Sequence, residues 1–370
     1  MKKIIAIAKR SGLRRNGLIA AITVALVVTL IASVKAVPQP ASHRAPPTLQ
    51  DTGLYTDFAN LQVDANHLPF SPQYPLWTDG AAKRRWISLP AGTAIDASDP
   101  DAWRFPIGAR LWKEFSFAGR RVETRYMQLQ SDGQWLYAAY AWSEDGRDAL
   151  LVSDRGRRGA YPLAEGRTHT IPSVNDCKVC HQGSRAEVLG FSALQLSPLR
   201  DPGAPHADPA SAIDLKSLVG SGLLFGLPRS ALETPISIAA ASATERAALG
   251  YLHGNCGHCH NEQGPLRNVG LFLRQTTATA APSTIASTFN RPVKKPAPGL
   301  SPDAIMRIEP QHPDRSVLMQ RIASRSPALQ MPPLGTELVD HDGVDLIQRW
   351  IAQSQPVSHA LPLEQKGDDR

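Results

Sequence analysis

The chain has 370 residues with 40 basic and 33 acidic side chains, a formal net charge of +7, and length enough for two or three hydrophobic cores. Seven of the basic residues, and no acid, fall in the first 36 positions, which leaves 33 against 33 beyond them. The excess is therefore local, and a nucleic-acid partner is excluded: no later cluster of Lys and Arg forms a stripe that would follow phosphates.

The first 36 residues read as a targeting element. A basic stretch runs to Arg15, Gly17 to Val34 is uncharged and apolar, and small residues follow at Val34 and Ala36. That is the order of a secretory signal. The apolar run is also close to the length of a membrane span, so an uncleaved anchor is the alternative. Either way the remainder is expected in the periplasm, soluble or tethered. Residues 37–60 are rich in proline and polar groups and read as a linker.

Residues 61–168 carry short alternating or aromatic runs separated by FAGR, SDGQ and EDGRD turns. VETRYMQLQ-SDG-QWLYAAYAW reads as a hairpin, and the next turn extends it into a meander. An antiparallel, sandwich-like β domain is expected. Its tryptophans (Trp86, Trp112, Trp135 and Trp142 among them) fall at strand spacing, which predicts core filling rather than a sugar platform. Residues 169–232 and 233–358 then read as two mostly helical modules, followed by a polar tail, 359–370. GSRAEVLGFSALQLS and SLVGSGLLFGLP are expected to be helical, as are Ala243–Asn255 and Pro313–Arg325. A last amphipathic helix carries Val344, Ile347, Trp350 and Ile351. The fold class is α+β, multidomain.

The chain's four cysteines form two C-x-x-C pairs, Cys177/Cys180 and Cys256/Cys259, and each is followed at once by histidine, His181 and His260. With 11 histidines in 370 residues, that double coincidence arises by chance roughly once in a thousand. C-x-x-C-H is the attachment signature of a c-type haem: two thiols bind the vinyl groups and the next imidazole ligates the iron. A four-thiolate zinc site is the rival, but it leaves both histidines unexplained and its pairs are usually closer together. A disulfide framework remains the ordinary reading for an exported protein. The expected cofactors are two covalently bound haem c groups.

Residues 240–355, with a helix entering CGHCH, a late Met-Pro-Pro and a terminal GVDLIQRWI helix, resemble class I cytochrome c. The resemblance implies that His260 is the proximal ligand and Met331 the distal one. A longer stretch, from WTDGAAKRRWISLP through IPSVNDCKVCHQG to VLGFSALQLS, is similar to a bacterial family of exported dihaem c-type cytochromes without an assigned role. For the first haem no methionine follows His181 before Met306. His169 is the first candidate for its sixth ligand, then His206, with His67, Met127 and Met306 more distant; an open position is the other option. His258, inside the second thioether loop, is expected to face solvent.

Three functions follow as expectations. The first is electron transfer with a redox protein partner such as a dehydrogenase, another cytochrome or an oxidase. The second is a peroxidase-like oxidoreductase with an open first haem. The third is a haem-bearing docking subunit of a membrane redox complex.

Overall fold

The computed structural model describes residues 44–208, 213–277, 283–293 and 298–355. The expected targeting element and the expected polar tail lie outside them. Strands β1 (Tyr55–Asp57) and β2 (Gln62–Val63) form a small antiparallel ribbon. The main sheet begins with β3 (Leu68–Pro69) and β4 (Ala82–Ser88), and β5 (Ile95–Asp96) stands aside from it. It continues through β6 (Arg110–Phe117), β7 (Arg120–Leu129), β8 (Trp135–Trp142) and β9 (Ala149–Leu151). Its six strands lie in the order β3-β4-β6-β7-β8-β9, antiparallel throughout.

The predicted hairpin is β7–β8, closed by Leu129 opposite Trp135. Gly133 adopts φ 78°, the left-handed conformation its turn requires. The expected sandwich, however, is a single sheet, and irregular chain covers both of its faces. Trp86, Trp112, Tyr126, Tyr140 and Trp142 point one way, onto Leu49, Leu54 and Tyr55. The expected linker thus contributes a core layer from Arg44 onward. Ile87, Leu111, Met127 and Tyr137 point the other way, onto Val188, Phe191, Leu196 and Leu215. The tryptophans fill cores, as their spacing predicts.

A hairpin of β10 (Arg157–Pro162) and β11 (Thr168–Ile171) leads to helix α1 (Val174–His181). Next come α2 (Leu215–Gly220), strand β12 (Leu224–Phe225), which pairs parallel with β5, and the single turn α3 (Ser230–Glu233). The last elements are α4 (Ala243–Asn255), α5 (Thr284–Thr288), α6 (Val317–Ile322) and α7 (His341–Gln353). Two of these helices reach 13 residues and the others run from four to eight. The expectation of mostly helical modules is therefore corrected: turns and extended chain predominate. Residues 184–197 form turns instead of the predicted helix, and the predicted helix through Pro228 stops at Ser221, before Gly222 at φ 69°.

Helices α4 and α7 do pack as the amphipathic pattern predicts. Leu249, Leu252, Ile347, Trp350 and Ile351 share one core. Gly343 lets the backbone of α7 meet the Tyr251 ring; a Cβ there would lie 2.3 Å from the ring atoms. The Tyr251 hydroxyl then donates to Asp340, the N-cap of α7.

Candidate functional site

Ser173 and Asp176 form a reciprocal capping box that starts α1 directly after β11. Within this helix Cys177, Cys180 and His181 stand at i, i+3 and i+4, so the two thiols and the imidazole share one face. The second motif is set differently. Helix α4 ends at Asn255, and Cys256, its C-cap, accepts from the amides of Cys259 and His260 at 3.1 and 2.9 Å. That tight turn brings the second pair of thiols and its histidine together.

The two motifs, distant in sequence, meet in space. Asn261 Nδ2 donates to the carbonyl oxygens of Gly183 (2.9 Å), Gly257 (3.0 Å) and His258 (3.1 Å). The Cys180 thiol hydrogen-bonds the Cys259 sulfur, and that contact first, then burial, pushes it up to about 12; Cys259 is lowered in return. Burial pushes Cys177 to about 11 and Cys256 to about 12. His258 also hydrogen-bonds Cys180 and lines the cavity of the first motif. The expectation that it faces solvent is corrected: it lies at the junction.

Gly183 makes this junction possible. A Cβ there would sit 2.5 Å from the His258 carbonyl oxygen and 2.8 Å from that of Val179. Both obstacles are backbone, so Gly183→Ala is expected to cost about 1–3 kcal/mol by overpacking. Denaturant unfolding checks this, and a variant within about 0.5 kcal/mol of wild type would show that the junction yields.

Two of the imidazole rings on the first cavity have an assignable tautomer. His181 Nδ1 lies 2.7 Å from the Glu187 carbonyl oxygen, which makes Nδ1 the donor and leaves the Nε2 lone pair free. Burial holds this imidazole at about 4, so it is neutral at pH 7. An Nδ1–H to a backbone carbonyl is the usual support of a histidine that ligates metal through Nε2. His253 is the reverse case. Its Nδ1 accepts from the Gln275 amide at 3.0 Å, so Nε2 carries the hydrogen. His253 lines the same cavity and brings a donor to it. In the second motif burial brings His260 to about 4, and its buried Nδ1 has no hydrogen-bond partner.

The other candidates sit as follows. His169 is buried on β11, with Nε2 2.9 Å from Glu123 and Nδ1 3.8 Å from Asp79. Burial opposes its charging, but hydrogen bonds to the two carboxylates outweigh this and raise its pKa above the ordinary value. It is not among the residues that line the cavity, so this placement gives it an ion-pair role and lends no support to iron ligation. His206 Nε2 is held by Asp340 at 2.9 Å, and His67 stacks on Trp112, on the opposite face of the sheet. Met127 lines the cavity. Met331 is half-buried with its amide bound to the Arg321 carbonyl, and Pro332, Leu334 and Thr336 after it reach the cavity wall.

The cavity was not foreseen as polar. Arg85, Lys113, Arg125 and Tyr137 line it, from the same strands whose tryptophans mark the opposite face. Burial, reinforced by Arg85 and Arg125, lowers the Lys113 ammonium well below its ordinary range.

The donor set fits a c-type haem at each motif: paired thiols beside a neutral, half-buried imidazole, with a cavity adjoining the first. It does not fit a single zinc ion. Among the described residues the one cluster of three metal-ligating groups within 4.8 Å is His206, Asp340 and Asp342, with no cysteine in it. No disulfide joins the four cysteines, which are all free. No family model, no curated protein and no solved structure matches the chain.

Proposed function

We propose that the chain is a periplasmic dihaem c-type cytochrome that passes electrons between redox protein partners. The observation that carries this is the junction of the two C-x-x-C-H motifs through Asn261 and Gly183, which brings Cys180 against Cys259. Two redox groups anchored there would adjoin, as an internal relay requires. Haem supplies one-electron iron chemistry whose potential is set by axial ligands, hydrogen bonding and burial.

The chain's own residues have distinct tasks. The paired thiols Cys177/Cys180 and Cys256/Cys259 would each hold a haem through its vinyl groups, S–H adding across the double bond with no electron exchanged. His181 offers Nε2 because Glu187 fixes Nδ1, and His260 is the corresponding ligand of the second motif. Met331 is the proposed ligand opposite His260, on its likeness to class I cytochromes. The resemblance to exported dihaem cytochromes supports the location and the two-haem content.

The pyridine haemochrome of the intact chain, made in a host that attaches haem c, tests the proposal. Two haems per chain that resist acidic extraction, taking up two electrons on reductive titration, are expected. One haem or none overturns it. A second reading, ligand chemistry at an open first haem, is favoured by the His253 Nε2–H at the cavity wall. A high-spin ferric band that shifts with cyanide would select it over simple transfer.

A further inference from the structure

The sheet face toward the first motif carries an arrangement that a folded protein ordinarily avoids. Arg85 lies directly opposite Lys113, and Lys113 directly opposite Arg125, so three cations stand in one row across β4, β6 and β7. Like charges in facing positions destabilise a sheet, and burial raises that cost. Only Arg125 has a carboxylate in contact, Glu123 at 2.6 and 3.2 Å, while the Lys113 ammonium rests over the Phe115 ring at 4.9 Å and Asp208 attracts Arg85 from beyond contact. Arg85 is 8% exposed. Among the described residues no carboxylate lies within ion-pair distance of Arg85 or Lys113.

Both cations line the cavity. The acids on the wall are engaged elsewhere. Asp176 is held in the capping box with Ser173, and Asp101 accepts from Thr276 and Thr277. The cavity therefore has two cations with no carboxylate in contact, and an anion would satisfy them.

We propose that Arg85 and Lys113 form a carboxylate subsite that holds the propionates of the haem borne by Cys177 and Cys180. This rests on the dihaem reading. It also agrees with the layout of the row. Arg125 is the member that interacts with the two thiols, and Arg85 lies two strands away, roughly 10 Å at ordinary strand spacing. Vinyl and propionate groups occupy opposite edges of the porphyrin, so a ring anchored at the thiols would turn its acids toward the far end of the row.

A cation beside the propionates favours the reduced haem by Coulomb attraction. Lys113→Met and Arg85→Met are therefore expected to shift one of the two haem reduction equilibria about tenfold toward the oxidised form, about 59 mV for a one-electron couple. The second haem should not move, and Lys113→Arg should restore the wild-type midpoint. Lys113→Gln and Arg85→Gln give the same readout if the methionine variants do not accumulate. Two unmoved midpoints in variants that still carry two haems overturn the subsite while leaving the dihaem reading intact. A wild type without covalent haem overturns that reading instead.

Discussion

A chain with Cys177→Ser and Cys180→Ser is expected to retain one of the two covalent haems that the dihaem proposal assigns to the wild type. The Cys256→Ser, Cys259→Ser chain will lose the other. The expectation follows from how separately the two motifs are built. Cys177 and Cys180 are positioned by α1 and its capping box, whereas Cys256 and Cys259 are positioned by the turn that ends α4. Neither pair needs the other to present its thiols. A shared four-thiolate metal centre would behave oppositely, since removing either pair would abolish binding altogether. The haemochrome content per chain is the measurement, expected at half the wild-type value in both double variants. If it falls to zero in both, the sites are one site and the dihaem assignment fails.

Glu123→Ala will lower the unfolding free energy by about 3–5 kcal/mol, because it strands buried charge. Glu123 is 0% exposed and accepts from Arg125 at 2.6 and 3.2 Å and from His169 at 2.9 Å. Burial would raise its carboxyl, but Arg125 and His169 outweigh this and keep it below the ordinary value. On the same grounds His169 is raised above its ordinary 6.5. The signs differ for the two groups. Glu123 contributes stability that is present above the ordinary carboxylate range and is lost as pH falls through its lower folded-state pKa. His169 contributes stability that is complete below 6.5 and is lost as pH rises through its higher folded-state value. Denaturant unfolding across this range should show a plateau that Glu123→Gln flattens on the alkaline side. A Glu123→Ala loss below about 1 kcal/mol would mean that Arg125 and His169 find other partners.

What was legible in the sequence was local. The C-x-x-C-H spacing, the SDG hairpin, the tryptophans in the core and the α4 and α7 helices all follow from neighbours a few positions apart. The row Arg85, Lys113, Arg125 was not legible, because its members are brought together only by strand register. In sequence each looks like the polar half of an alternating strand. The helices around the first motif were overestimated for a related reason. Apolar residues such as Val188, Leu196 and Leu224 have helical or ambiguous spacing, yet they pack on the sheet from turns and from a two-residue strand. His258 was misplaced because the second motif was considered alone, without Gly183 pressed against its carbonyl.

That contact bears on biogenesis. In the folded chain the thiols of Cys180 and Cys259 face one another, and a Cβ at Gly183 would press on backbone carbonyls of both loops. A haem-attaching machinery would need each motif alone and open. On the dihaem proposal, attachment would therefore precede folding, and closure of the Asn261–Gly183 contact would be the step that seals both groups in.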